Sequence, residues 1–318
     1  MDARQNQLPP EALAPEMQAR AAAARAEWQA REATVARPES SLRLFWLALK
    51  RDKVAMASAV FLLAVLIATV FAPVFAPYSP YEATPSLRLG PPGTEGHLLG
   101  LDGQGRDILS RLLYGGRVSL PVALIPVAIA TSISVGLGLI AGFYRRGLGE
   151  VIMRVLDVFY AFPTVMLAIA IAGILGPGMS NVMLSIVIVL IPYITRVVYT
   201  TTMVVSEEDF VQAARACGAS DARILFREIL PNILSPVIVY GTTTMGLQVV
   251  FAAGLSFLGL GVQPPIADWG IMTADGRTVL SGAPHVSVIP GLMLLLVALA
   301  FNLLGDGLRD ALDPKLRQ

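Results

Sequence analysis

The sequence predicts an all-α, polytopic membrane protein with six transmembrane helices and both termini on the cytoplasmic side. Three observations carry that expectation. First, 55% of the 318 residues are hydrophobic and only 15% are charged, too apolar a balance for one soluble domain in a chain too long for a single anchor. Second, the charges are gathered so as to leave long charge-poor windows, and an ionised side chain at a bilayer centre costs roughly 2.5–3.5 kcal/mol. Third, Lys and Arg concentrate on one side of those windows, including Arg43, Lys50, Arg51, Lys53, Arg145, Arg146, Arg154, Arg215, Arg223, Arg227, Arg309 and Lys315. The other side holds Arg88, Arg106, Arg111, Arg117 and Arg277. Basic loops resist translocation, so the richer side faces the cytoplasm.

Residues 1–42 read as a mostly disordered cytoplasmic tail, rich in Ala, Arg, Glu, Gln and Pro, with a fraying helix around Ala19 to Glu32. No cleavable signal is expected, because this stretch is polar and the first apolar run is long enough to span. Residues 43–118 hold the first transmembrane helix and a long external loop. "RLFWLALKRDK" (43–53) mixes apolar and basic residues as an interfacial anchor does, and the span at 54–74 closes on the prolines of "FAPVFAPYSP". In the loop, Asp102 and Gly103 signal a turn, and Asp107 starts a short surface helix with Ile108, Leu112 and Leu113 on one face.

Residues 119–306 form a core of five spans, expected at 119–142, 152–175, 182–204, 236–258 and 287–306. "GPGMSN" (176–181) separates the second and third of these, since Gly and Pro end helices. "LGLGVQPPIADWGIM" (258–272) reads as an external cap, and residues 307–318 as a cytoplasmic tail.

Signals for catalysis are missing. The lysines are Lys50, Lys53 and Lys315, none in a GxxxxGK[ST] phosphate-binding loop. The chain is therefore expected not to be an enzyme and to bind no cofactor. A net charge of +1 argues against nucleic acid as a partner. His97 and His285 read as solvated loop residues with no metal site between them, and Cys217, the single cysteine, permits no intrachain disulfide. Ser256, in "GLSFLG", reads as hydrogen-bonding within its helix. Gly138 and Gly142 form a GxxxG that permits close helix contact. Three charges lie in or beside spans. Arg154 and Asp157, three apart, can neutralise each other, and Arg196 can snorkel to headgroups. All three are also candidates for a translocation path.

One further stretch stands out, the loop at 205–233, far longer than the 2–8 residues that join antiparallel helices. Ser206 is expected to cap a helix whose first turn carries Glu207, Glu208 and Asp209. Phe210, Ala213, Ala214 and Cys217 then share one narrow face. Gly218 can stop the helix in the left-handed conformation, and Ser220 caps a second helix bearing Ala222, Leu225, Phe226 and Ile229, after which Pro231 suits a first helical turn. Two short helices turned at a glycine and joined to spans on both sides suit a docking element for a cytoplasmic partner.

The residues of this loop resemble a known signature. "QAARACGASDARILFREILPN" is similar to the cytoplasmic coupling loop of ABC-importer membrane subunits, with Gln212, Ala213, Ala214, Gly218, Ala219, Leu230 and Pro231 at the matching positions. Gln212 replaces the usual glutamate and Glu228 an isoleucine. "FAPVFAPYSP", "HLLGLDGQGRDILSRLLYGGRVSL", "DVFYAFPTVMLAIAI", "LSFLGLGVQPPIADWG" and "LRDALDPKLR" together resemble the second permease subunit of dipeptide/oligopeptide/nickel-type importers, from about residue 43 onward. The resemblance implies the MetI-like permease fold in a bacterial inner membrane. It further implies a heterodimer with a second permease, two cytoplasmic ATPases holding ATP and Mg, and an external substrate-binding protein. Peptides are the expected cargo, with nickel, glutathione or short glycans as alternatives. A self-sufficient secondary transporter would show an internal repeat and paired intramembrane carboxylates, and neither is evident. A non-transporting scaffold leaves the long external loop unexplained.

Overall fold

The computed structural model describes residues 49–312. The expected tail, its helix near Ala19 to Glu32, most of the 43–53 anchor and residues 313–318 lie outside that range. Among the described residues the chain is helical, with two isolated β-bridges and no strand.

Helix α1 (Lys53–Val70) starts where the Asp52 carboxylate accepts hydrogen bonds from the Val54 and Ala55 amides at 2.9 and 3.0 Å, satisfying two donors that every helix N-terminus leaves free. It is apolar on all sides, as a lipid-facing span must be. A short helix, α2 (Ala72–Phe75), follows, and the chain then enters a long loop, residues 76–107.

Helix α3 (Ile108–Phe143) differs from expectation. The short helix starting at Asp107 and the span at 119–142 are one continuous helix, so a boundary at 118 falls inside it. Pro121 and Pro126 do not break it, because packing against neighbouring helices offsets the lost backbone bonds. The 152–175 span also differs. It is two helices, α4 (Leu148–Tyr160) and α5 (Thr164–Leu175), bent by 87°. Pro163 explains the break, since proline donates no amide hydrogen and pushes the preceding residue out of the helical region. Helix α6 (Met179–Val205) begins where "GPGMSN" was expected to interrupt, with Asn181 donating to the Leu175 and Gly176 carbonyls.

After the loop that carries the short helix α7 (Asp209–Ala216), helix α8 (Asp221–Phe257) runs on without a stop. The external cap forms helix α9 (Trp269–Gly276), and α10 (His285–Leu312) continues past the expected end at 306. Among the described residues five helices are long and apolar enough to cross a membrane, or six if the bent α4–α5 pair is one span.

Small residues hold the bundle together. A Cβ added at Gly138 would lie 2.5 Å from the Val198 Cβ, and one at Gly142 2.6 Å from the Thr202 Cβ, so the expected GxxxG is the seam between α3 and α6. Without a hydrophobic driving force between helices in lipid, such close backbone approach supplies the packing energy. Gly305 plays the same part between α10 and Thr243 of α8.

The end of the bundle that carries residues 76–107 and 258–284 is organised by buried charge. The Asp102 carboxylate accepts from the Gln104 and Arg106 amides and pairs with the Arg106 guanidinium at 2.7 Å. Asp107 accepts from the Ser110 amide and hydroxyl and contacts His97 Nδ1 at 2.9 Å. His97, expected in solvent, is buried and stacked on Tyr78, while His285 is only half-buried. Trp269, fully buried, donates from its indole to the Leu112 carbonyl at 2.8 Å. Its neighbour Asp268 accepts from the Ser119 hydroxyl at 2.6 Å and caps α9 through the Ile271 amide. Ser256 faces the same Asp268 carboxylate. These bonds lock the cap onto the outer end of α3.

Candidate functional site

The loop at 205–233 is built from the end of α6 inward. Ser206 does not cap α7. Its hydroxyl donates back to the Thr202 carbonyl at 2.6 Å, a bond that α6 offers one turn away. Glu208 occupies the cap position without a side-chain hydrogen bond, and Asp209 supplies the first-turn acid that the helix dipole favours. Gln212 reaches back to the Ser206 carbonyl at 3.1 Å, tying the helix to the end of the span.

Val211 is fully buried and turns α7 towards the body of the protein. The opposite face is the one expected from spacing: Phe210, Ala213 and Cys217 are exposed and Ala214 is half-buried. Gly218 has φ +80°, the left-handed stop anticipated for it. Around it the Ala219 amide donates to the Ala214 carbonyl at 3.1 Å and the Gly218 amide to Arg215 at 3.0 Å. That paired 6→1 and 5→2 pattern is the Schellman motif, which fixes the exit direction of the chain. Beside it, Ala214, Cys217, Gly218, Ala219, Arg223 and Glu228 line a cavity of about 180 Å³.

Ser220 then caps α8 by accepting from the Arg223 amide at 3.4 Å. The face of this helix differs from expectation. Ile224, Leu225 and Ile229 are buried, whereas Phe226 is 64% exposed and Ala222 is exposed. The reason is a π-helical segment, Ile224–Ile229, in which the Leu230 amide bonds to the Leu225 carbonyl. Pro231 cannot donate to the carbonyl four residues back, and the wider turn accommodates that gap. Leu230 is half-buried and Pro231 exposed, and as expected Pro231 lies in the first turn of an α-helical run, Leu230–Phe257, which follows directly on the π segment.

The intramembrane charges pair differently from the sequence reading. Arg154 pairs with Glu150 one turn back at 3.2 Å, not with Asp157. Asp157 pairs with Arg196 of α6 at 2.8 Å, so Arg196 is held across helices and does not snorkel. Each member of that pair is about half exposed, at 53% and 49%. Spacing along one helix could not reveal a partner 39 residues away.

Aromatic residues that the sequence did not single out complete this cluster. The Arg196 guanidinium lies 4.4 Å over the Tyr160 ring, and the Tyr160 and Tyr193 rings meet at 4.7 Å between centroids, tilted by 55°. Thr164, just beyond the α4–α5 bend, hydrogen-bonds the Tyr193 hydroxyl at 2.6 Å, and Tyr160 donates to the Pro192 carbonyl at 3.3 Å. Their signal in the sequence was "YAFPT" facing "IPYITR", visible only once the bend is known. Tyr240 lines an adjoining cavity of about 430 Å³ with Val197, Ser235, Thr243 and Arg309.

Comparison with known proteins follows this geometry. Residues 134–318 match the family described as the binding-protein-dependent transport system inner membrane component, and residues 40–92 match the N-terminal transmembrane domain of oligopeptide transport permease C. A glutathione transport system permease protein of Pectobacterium atrosepticum is 43% identical over 86% of this chain and 91% of its own length. A dipeptide transport system permease protein of Alkalihalophilus pseudofirmus is 43% identical over 85% and 88%. Among solved structures, an inward-facing MetNI methionine ABC transporter chain aligns with TM-score 0.53 at 18% identity, covering 64% of this chain and 96% of that one. At that identity the likeness concerns the fold alone.

Proposed function

The chain belongs to the family of binding-protein-dependent transport system inner membrane components, and we propose that its loop at 205–233 is the element through which ATP hydrolysis in partner subunits drives it. The protein is a permease subunit of a binding-protein-dependent ABC importer of the inner membrane. In our reading it forms half of the translocation pathway for di- and oligopeptides, the other half coming from a second, related permease. Two cytoplasmic ATPases, holding ATP and Mg, dock on the loop, and an external binding protein delivers the cargo. The chain itself binds no nucleotide.

One observation supports the coupling role above the others. Beside Phe210 this face of α7 holds the small Ala213, Ala214 and Cys217 and ends in a Schellman turn, with α6 ending at Val205 on one side and α8 starting at Asp221 on the other. A load applied there reaches two spans across short connections, 206–208 and 217–220. Glutathione is a second reading of the cargo, favoured by a relative named as a glutathione permease at 43% identity. Asp157 and Arg196, with the tyrosines around them, are the groups we assign to the path.

Reconstitution of this chain with its co-encoded permease, ATPases and binding protein tests the reading. Uptake of labelled dipeptide or glutathione should require all components and ATP, and the competing cargo should be excluded by the binding protein. Uptake by this chain alone, driven by an ion gradient, would end the proposal.

A further inference from the structure

The elbow between α3 and α4, residues 144–147, folds against the start of the cytoplasmic loop. A cavity of about 370 Å³ opens between them, lined by Phe143, Arg145, Arg146, Glu207, Gln212 and Arg215. That size falls within the roughly 300–1,000 Å³ of clefts that hold small molecules. Three guanidinium groups face one carboxylate, which leaves the cavity with an excess of positive charge.

The groups are not equivalent. Arg145 is committed: it pairs with Glu207 and donates to the Met203 carbonyl at 2.8 Å. Arg215 lies 5.6 Å over the Phe143 ring, which orients its guanidinium without neutralising it. Arg146 has no hydrogen bond or ion pair among the described residues, and it is exposed. Two charges on two different elements therefore converge on one cavity without an anion. Arginine forks match phosphate geometry, and basic pockets on the cytoplasmic side of a bundle suit anionic lipid headgroups.

We infer that this cavity binds the phosphate of an anionic phospholipid headgroup, held between Arg146 of the elbow and Arg215 of α7. A free phosphate offers the same chemistry, but the surroundings favour a lipid. Immediately after the elbow, Leu148, Val151 and Val155 of α4 form an exposed apolar stripe, at 56, 60 and 56% exposure, along which acyl chains can lie. Such a lipid bridges the bent α4–α5 pair to the cytoplasmic loop. The inference rests on the membrane placement of the chain and not on the identity of its cargo.

The test uses the assembled transporter in phosphatidylcholine nanodiscs containing photoreactive phosphatidylglycerol. Adducts should map to residues 143–151 and 206–215. Arg146→Gln and Arg215→Gln should each weaken phosphatidylglycerol occupancy about fivefold, the effect of one arginine at a membrane surface. Arg227→Gln, which removes a charge from the same side of the membrane, should leave it unchanged. An equal loss in the Arg227 variant would mean diffuse surface attraction and overturn the site. Undiminished labelling in both cavity variants would do the same. Loss of adduct formation when soluble inorganic phosphate is present before irradiation would assign the cavity to a free anion and overturn the lipid.

Discussion

Gly218 offers a perturbation whose cost can be worked from the structure. Its φ is +80°, and a Cβ added there would meet no atom within 4 Å. Overlap therefore contributes nothing, and the backbone conformation contributes everything. An ordinary side chain pays roughly 1–2 kcal/mol to sit in the left-handed region, asparagine less and a β-branched residue more. A shift of 1–2 kcal/mol changes a two-state balance by about 5- to 30-fold, here between the Schellman turn and a loop with a different exit direction. Gly218→Asn, →Ala and →Val should thus impair coupling in that order, while the complex assembles in equal amounts because no span is touched. The assay is ATP hydrolysis stimulated by loaded binding protein, alongside uptake, in proteoliposomes. Wild-type coupling in Gly218→Val would refute the reasoning. So would equal damage from Asn and Val, which would implicate space and not backbone angle.

Arg196→Gln should leave the Asp157 carboxylate uncompensated, costing more than the ~1 kcal/mol of a surface pair but less than the 3–5 kcal/mol of a fully buried one. Adding Asp157→Asn should recover part of that loss, and thermal midpoints of the single and double variants measure the coupling. On the external side, burial holds the Asp268 carboxyl above its ordinary range, outweighing the donors from Ser119, Ile271, Ser256 and Gly270. The folded chain keeps that proton to higher pH than the unfolded one, so stability should fall as pH rises from about 4 through the raised value. Asp268→Asn should flatten that slope in a thermal-shift series. Asp275, raised by burial in the same direction, will retain some of it.

Much of this architecture was legible because membranes penalise charge and proline punctuates helices. The spans, the left-handed Gly218, the Ser220 and Asp107 caps and the small-residue face of α7 all follow from local chemistry. What escaped the sequence was non-local. The Asp157–Arg196 pair and the tyrosines around it depend on the bend at Pro163, whose 87° angle no window of hydropathy encodes. Likewise the face of the second loop helix was drawn with α-helical spacing, and the π turn before Pro231 rotated Phe226 outward and Ile224 inward. His97 looked like a loop residue because the partner that buries it, Asp107, lies ten residues on with no regular element between them. Continuity of α3 through 118 was hidden by Arg117, the charge from which the apolar window was counted.

The coupling loop carries its own reporter. Cys217 is the chain's single cysteine, and it is exposed on the face assigned to the ATPases. Its rate of maleimide labelling from the cytoplasmic side should be measured in membranes holding the two permeases alone and again with the ATPases assembled. The account predicts rapid labelling without the ATPases and strong protection with them, reversed when they are stripped away. Labelling that is equally fast in both states would contradict docking on this face.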